Sequence, residues 1–69
     1  MNDVAFEIET GSNKDIQIKK KIKMLENNFT EWYIICSTKL QPRYARFAPK
    51  RQLLTLTQAY KKALELTEE

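Results

Sequence analysis

Two acids, one thiol and a set of cations interleaved with aromatic rings are what this 69-residue chain has to offer chemistry. Glu7 and Glu9 stand two apart in an alternating segment, a spacing that general acid–base work could use. Solvent-facing acids on a half-buried strand are the commoner outcome of that pattern, and they are expected here. Cys36 closes the apolar run Trp32–Cys36, where a thiol packs as a small hydrophobe rather than reacting. With no histidine there is no imidazole base and no His-centred triad. A single cysteine builds neither a disulfide nor a zinc site, and Gly11, the only glycine, builds no phosphate loop. The expectation is a binding protein, not an enzyme, with no cofactor and no metal.

The cations are more informative. The net charge is only +3, but no acid occurs between Trp32 and Leu64. That stretch holds Lys39, Arg43, Arg46, Lys50, Arg51, Lys61 and Lys62. The remainder holds five lysines against nine acids. Segregation of this kind is how a basic patch looks in sequence. A second cluster, Lys19, Lys20, Lys21 and Lys23, precedes it. Tyr44 and Phe47 lie among Arg43, Arg46, Lys50 and Arg51. Cations neutralise phosphates and single-stranded bases stack on rings, so this mixture suits a sequence-tolerant single-strand contact. Alternation puts Tyr44 and Phe47 on opposite faces of a strand. Phe47 is the expected core residue and Tyr44 the expected stacking residue. A solvated basic surface, or lysines guarding an edge strand, accounts for the same residues without a ligand.

The elements that must position these groups read as follows. Val4, Phe6 and Ile8 alternate with Ala5, Glu7 and Glu9, a strand with one buried face. Thr10–Asn13 is a turn cluster. In the next segment Ile16, Ile18, Ile22 and Met24 share strand parity, whereas Ile18, Ile22 and Leu25 share a helical face. Four positions against three, with three isoleucines, favour a strand and hence a hairpin over residues 4–24. Phe29–Leu40 is a strand apolar on both parities near its middle, as for a central strand covered on both faces. Of Trp32 and Tyr33 one is expected in the core and the other exposed. Pro42 breaks this strand, Arg43–Phe47 forms a short one, and Lys50–Leu54 is a loop or a last short strand. Thr55-Leu56-Thr57-Gln58 has the capping-box form that starts a helix. Leu56, Tyr60, Ala63 and Thr67 give its stripe, and Glu65, Glu68 and Glu69 fray its end. The expected fold is α+β, a single domain over 1–69: an antiparallel meander of three to four strands, then one C-terminal helix packed on the sheet.

Pro42-Arg43-Tyr44, then Arg46, then Leu54-Thr55-Leu56-Thr57 entering a helix, resembles the positive-cofactor-four family of single-strand DNA-binding proteins. The resemblance covers roughly the C-terminal half. It implies four antiparallel strands and a helix through which two chains dimerise. It further implies that Arg43, Tyr44 and Arg46 carry binding and that the helix from Thr57 carries dimerisation. The chain departs from the family in a shorter stretch between Phe47 and Leu54. It also has Arg51-Gln52 where the family has a glycine before its final strand.

A core of this length is marginal, since apolar burial barely offsets about 1.5 kcal/mol of ordering entropy per residue. A homodimer is therefore expected, and the resemblance implies that it forms through the C-terminal helix, at Leu56, Tyr60, Ala63 and Leu64. The free cysteine fits a reducing cytoplasm, Met1-Asn2-Asp3 carries no features of a secretory leader, and Trp32–Cys36 is far too short to span a membrane. The functional expectation is a small nucleic-acid-binding protein that holds single-stranded DNA or RNA with little sequence preference. Its contacts would be Lys19, Lys20, Lys21, Lys23, Lys39, Arg43, Tyr44, Arg46, Lys50 and Arg51. The alternative is a phage or mobile-element module whose basic face docks on an acidic surface of a host protein.

Overall fold

The computed structural model describes residues 3–67. Three strands, β1 (Val4–Ile8), β2 (Glu31–Ile35) and β3 (Leu53–Leu54), form one sheet in the order β1-β2-β3. Both pairings are parallel, with Val4 opposite Glu31 and Ile34 opposite Leu53. The expected antiparallel meander is thus overturned, and with it the 4–24 hairpin and the four-stranded antiparallel plan. Parallel neighbours cannot be joined by a tight turn and need a crossover. Helix α1 (Asp15–Asn28) supplies the first. Helix α2 (Gln41–Tyr44) and a 3-10 turn at Lys50–Gln52 supply the second. Helix α3 (Leu56–Thr67) follows β3.

The segment expected as a second strand is therefore α1. Its buried residues are Ile18, Ile22 and Leu25, the three that share a helical face. Ile16 and Met24, which tipped the count toward a strand, are exposed. The helix begins where the Lys14 N–H donates to Gln17 Oε1 at 2.7 Å, and Asp15 stands in its first turn, where an acid suits the helix dipole. Arg43–Phe47 is not a strand either. Pro42 sits in the first turn of α2, where its missing N–H costs nothing, and Ala48 N–H closes a further turn on the Tyr44 carbonyl.

Alternation along the strands divides the core in two. On one face α1, α2 and the turn after it pack on Trp32, Ile34, Cys36 and Leu53, with Ala5 and Phe29 at the margin. On the other, Phe6 stacks on Tyr33 with ring centroids 5.5 Å apart, and Ala59 of α3 is buried beside Ile35. β2 is the central strand and is covered on both sides, as its two apolar parities imply. Trp32 and Tyr33 are accordingly both buried, so neither is the exposed ring expected of the pair. The capping box at α3 is formed: Thr55 N–H donates to Gln58 Oε1 at 2.9 Å, and Gln58 N–H to Thr55 Oγ1 at 3.3 Å. Glu68 and Glu69, expected to fray this helix, and Met1 and Asn2 lie outside the described residues. Among the described residues no helix is long and apolar enough to cross a membrane.

Candidate functional site

At the C-terminal end of β1 lies a sealed cluster of charge. Glu9 was expected to face solvent, yet it is 4% exposed. α1 and α2 cover that face of β1. Its carboxylate accepts from Lys21 Nζ at 2.5 Å, Asn13 Nδ2 at 2.9 Å and the Tyr44 hydroxyl at 3.0 Å. Lys21 also reaches Glu7 at 3.1 Å. Burial pushes the Glu9 carboxyl up, but the bonds from Lys21, Asn13 and Tyr44, with the lysine charge, outweigh it and hold the pKa below the ordinary carboxylate value. The bond to Glu9 raises Lys21 in turn. Burial, then the Glu9 carboxylate, raises Tyr44 and likewise raises Cys36. The Cys36 thiol is buried and held protonated, and the Glu9 carboxylate is shut off from solvent, whereas Glu7 is half-buried.

Arg43 belongs to the same cluster. Its guanidinium donates to the Gly11 carbonyl at 3.0 Å, the Asn13 carbonyl at 2.5 Å and Asp15 Oδ1 at 3.1 Å. It clamps the turn between β1 and α1, where Gly11 takes a φ of +90°. Tyr44 is fully buried. The stacking ring and the binding arginine expected at 43–44 are thus internal parts, and Lys21 is engaged with them.

A second constellation forms alongside, on the outside. Lys19, Ile22, Lys23 and Glu26 of α1 line a shallow groove with Arg46 and Phe47 from the turn after α2. Lys19 Nζ lies 5.9 Å from the centre of the Phe47 ring, and Arg46 Cζ 5.3 Å. Phe47, expected in the core, is half-buried, with the two cations beside its ring. Arg46 also approaches Asp15 at 3.5 Å but remains mostly exposed. Lys20 is exposed on the adjoining surface of α1. α1 is what makes this cluster, because a strand over the same residues would have separated Lys19 and Lys23 from Lys20 onto opposite faces.

No protein family, curated protein or solved structure matches the chain.

The remaining expected contacts do not join this groove. Lys39 is exposed in the turn after β2, and Lys50 borders Gln41, Pro42 and Leu53. Arg51 shares a different margin with Lys62, beside Trp32 and Tyr33. There Lys62 Nζ stands 5.5 Å from the Tyr33 ring centre, and the Tyr33 hydroxyl donates to Glu31. Burial, then the Glu31 carboxylate, pushes Tyr33 up to about 12. Among the described residues no group of acids and cysteine is placed to hold a metal. Of the residues expected to dimerise, Leu56, Tyr60 and Leu64 are exposed and Ala63 is half-buried.

The residues not anticipated are Glu9 and Lys21 as an internal pair and Ile8 as an exposed apolar side chain at the end of β1. The signal for Glu9 was present. It shares parity with Ala5, which packs against the core, so the face of β1 that α1 and α2 cover is the one that carries Glu9.

Proposed function

We propose that this chain binds single-stranded nucleic acid, with little sequence preference, along the groove between α1 and the turn after α2. One observation carries the proposal: Lys19, Lys23 and Arg46 converge around the half-buried ring of Phe47. Cations supply phosphate contacts, and a ring at their centre supplies a stacking face for a base, a pairing that tolerates any sequence. Lys20 extends the surface along α1. Lys19, Lys20, Lys23 and Arg46 together outnumber the nearby acids, Asp15 and Glu26, four to two. Lys39, Lys50 and Arg51 add long-range attraction rather than contact. A free, buried thiol suits work in a reducing cytoplasm.

The test is a mobility shift with a labelled single-stranded oligonucleotide. Affinity should fall about 20- to 50-fold between about 50 and 200 mM salt, as three or four neutralised phosphates require. Lys19→Ala/Lys23→Ala should abolish the shift while leaving the fold intact. No shift at the lower salt overturns the proposal. Capture of an acidic host protein that survives nuclease treatment, by the same lysines, would instead favour a protein-docking module.

A further inference from the structure

We infer that β1 pairs with the β1 strand of a second copy of this chain, antiparallel about a twofold axis at Phe6, joining two three-stranded sheets into one of six strands. The two edges of the sheet are unlike. β3 is two residues long, and so short an edge offers little to pair with. β1 is five residues long and stands at the edge of the sheet, and among the described residues no strand pairs with its outer side. Its odd residues bond to β2: the Asp3 carbonyl accepts from Glu31 N–H, and Glu9 N–H donates to the Ile35 carbonyl. Alternate residues of a parallel strand turn their groups the other way. The N–H and C=O groups of Val4, Phe6 and Ile8 therefore face outward.

Proteins blunt such edges with lysine, proline, a bulge or a projecting charge. β1 carries none of these on its exposed side. Its one charged side chain, Glu7, points to the covered face and is held by Lys21 at 3.1 Å. Ile8, at the strand end, is 65% exposed.

The edge is also self-complementary, which selects a second copy over a foreign strand. Antiparallel pairing about Phe6 sets Phe6 against the partner's Phe6 once, on the axis, and Val4 against the partner's Ile8 twice by symmetry. The three residues share one face, so both copies contribute to one apolar floor. The walls are present as well. α3 rises from β3 and leaves the β1 side of its face uncovered, as a groove lined by Phe6, Ile35, Leu56, Ala59, Tyr60 and Ala63. Leu56 is 71% exposed and Tyr60 68%. In the paired sheet these protruding side chains flank the shared floor from both sides. This arrangement differs from a dimer built through α3 alone, because backbone bonds along β1 hold it.

Sedimentation equilibrium over about 1 to 500 µM reads the result directly. The expected particle is twice the chain mass of 8.2 kDa. Ile8→Pro removes an outward N–H without touching the bonds to β2, and Ile8→Lys places a charge on an already exposed site. Each should raise the dissociation constant at least about tenfold, with an unchanged far-ultraviolet circular dichroism spectrum. Hydrogen exchange gives a second measure: the Val4, Phe6 and Ile8 amides should gain protection as concentration rises. A monomer throughout, assemblies larger than two, or a dimer indifferent to both Ile8 variants but lost in Tyr60→Ala would each overturn the inference.

Discussion

The sealed cluster beneath α2 and the open groove beside it are made from the same two stretches of chain. Lys21, Arg43 and Tyr44 belong to the first, and Lys19, Lys23, Arg46 and Phe47 to the second. Two or three residues of separation, on helix or turn, rotate one cation inward and the next outward. The inner set satisfies buried carbonyls and a carboxylate, which fixes the β1–α1 turn. The outer set has water on one side and is free to exchange it for an anion. Residue type and closeness in sequence do not distinguish the two sets, whereas helical phase does.

The difference can be broken by paired substitutions. Tyr44→Ala empties a fully buried site and removes one of the three donors to Glu9, and should cost about 3–5 kcal/mol in a urea titration, enough to unfold a domain of this size. Phe47→Ala should cost much less and weaken oligonucleotide binding instead. If Phe47→Ala proves the more destabilising of the two, the inner and outer sets have been misassigned.

Arg43→Ala and Arg46→Ala come next in size. The first leaves the Gly11 and Asn13 carbonyls without their donor and should cost about 1.5–3 kcal/mol, with the affinity of the folded protein nearly unchanged. The second loses a loose pairing with Asp15 and an exposed contact with the Phe47 ring, together worth about 1 kcal/mol or less. Its effect should instead be on binding, with uniform weakening across oligonucleotides and a salt slope smaller by about one.

A pH series sharpens the inner set. The folded pKa of Glu9 lies below its unfolded value of about 4.5, so its contribution is complete above that pH and is lost as pH falls through the folded value. Lys21 and Tyr33 are raised, so theirs is complete below the unfolded values of about 10.5 and 10 and is lost as pH rises through the folded ones, about 12 for Tyr33. Cys36 and Tyr44 are raised as well, from unfolded values of about 9 and 10, so thermal melts should show a plateau between about pH 5 and 9 that falls at both ends. Glu9→Gln should lower the plateau and flatten its acid limb. An acid limb as steep in that variant as in the parent would remove Glu9 from the cluster. The smallest effect belongs to Lys20→Ala, a fraction of the loss in affinity seen for Lys19→Ala/Lys23→Ala, with stability unchanged.

Local patterns were readable from residues alone wherever a single neighbour decides the outcome. A strand at Val4–Ile8, a central strand within Phe29–Leu40 and the cap at Thr55–Gln58 each depend on a few adjacent positions; the cap formed, the central strand runs only over Glu31–Ile35, and the first strand formed with Glu9 buried and Ile8 exposed, against its expected facing. The segment at 15–28 did not yield to the same treatment. Ile16 and Met24 are apolar but exposed, and counting them made a strand of a helix. Burial of Ile18, Ile22 and Leu25 is decided by a sheet whose strands pair across 27 positions, Val4 with Glu31, and no local periodicity reports that. The candidate groove was visible as composition, in lysines and arginines around rings. Its membership was not, because whether Arg43 or Arg46 turns outward depends on the short helix that Pro42 opens.

An all-parallel sheet also sets the order in which this chain can acquire structure. No two strands are joined by a hairpin, so no strand has a partner nearby when it is made. β1 must wait for the whole of α1 and then for β2 before its first ladder bond forms, and β3 comes later still. Loop closure on that scale is an entropic toll levied before any pairing repays it, which slows folding relative to a meander of equal size. During that interval the five residues of β1 have neither neighbour, and the open strand that would later meet its own copy is, in the nascent chain, the segment most exposed to meeting the wrong one.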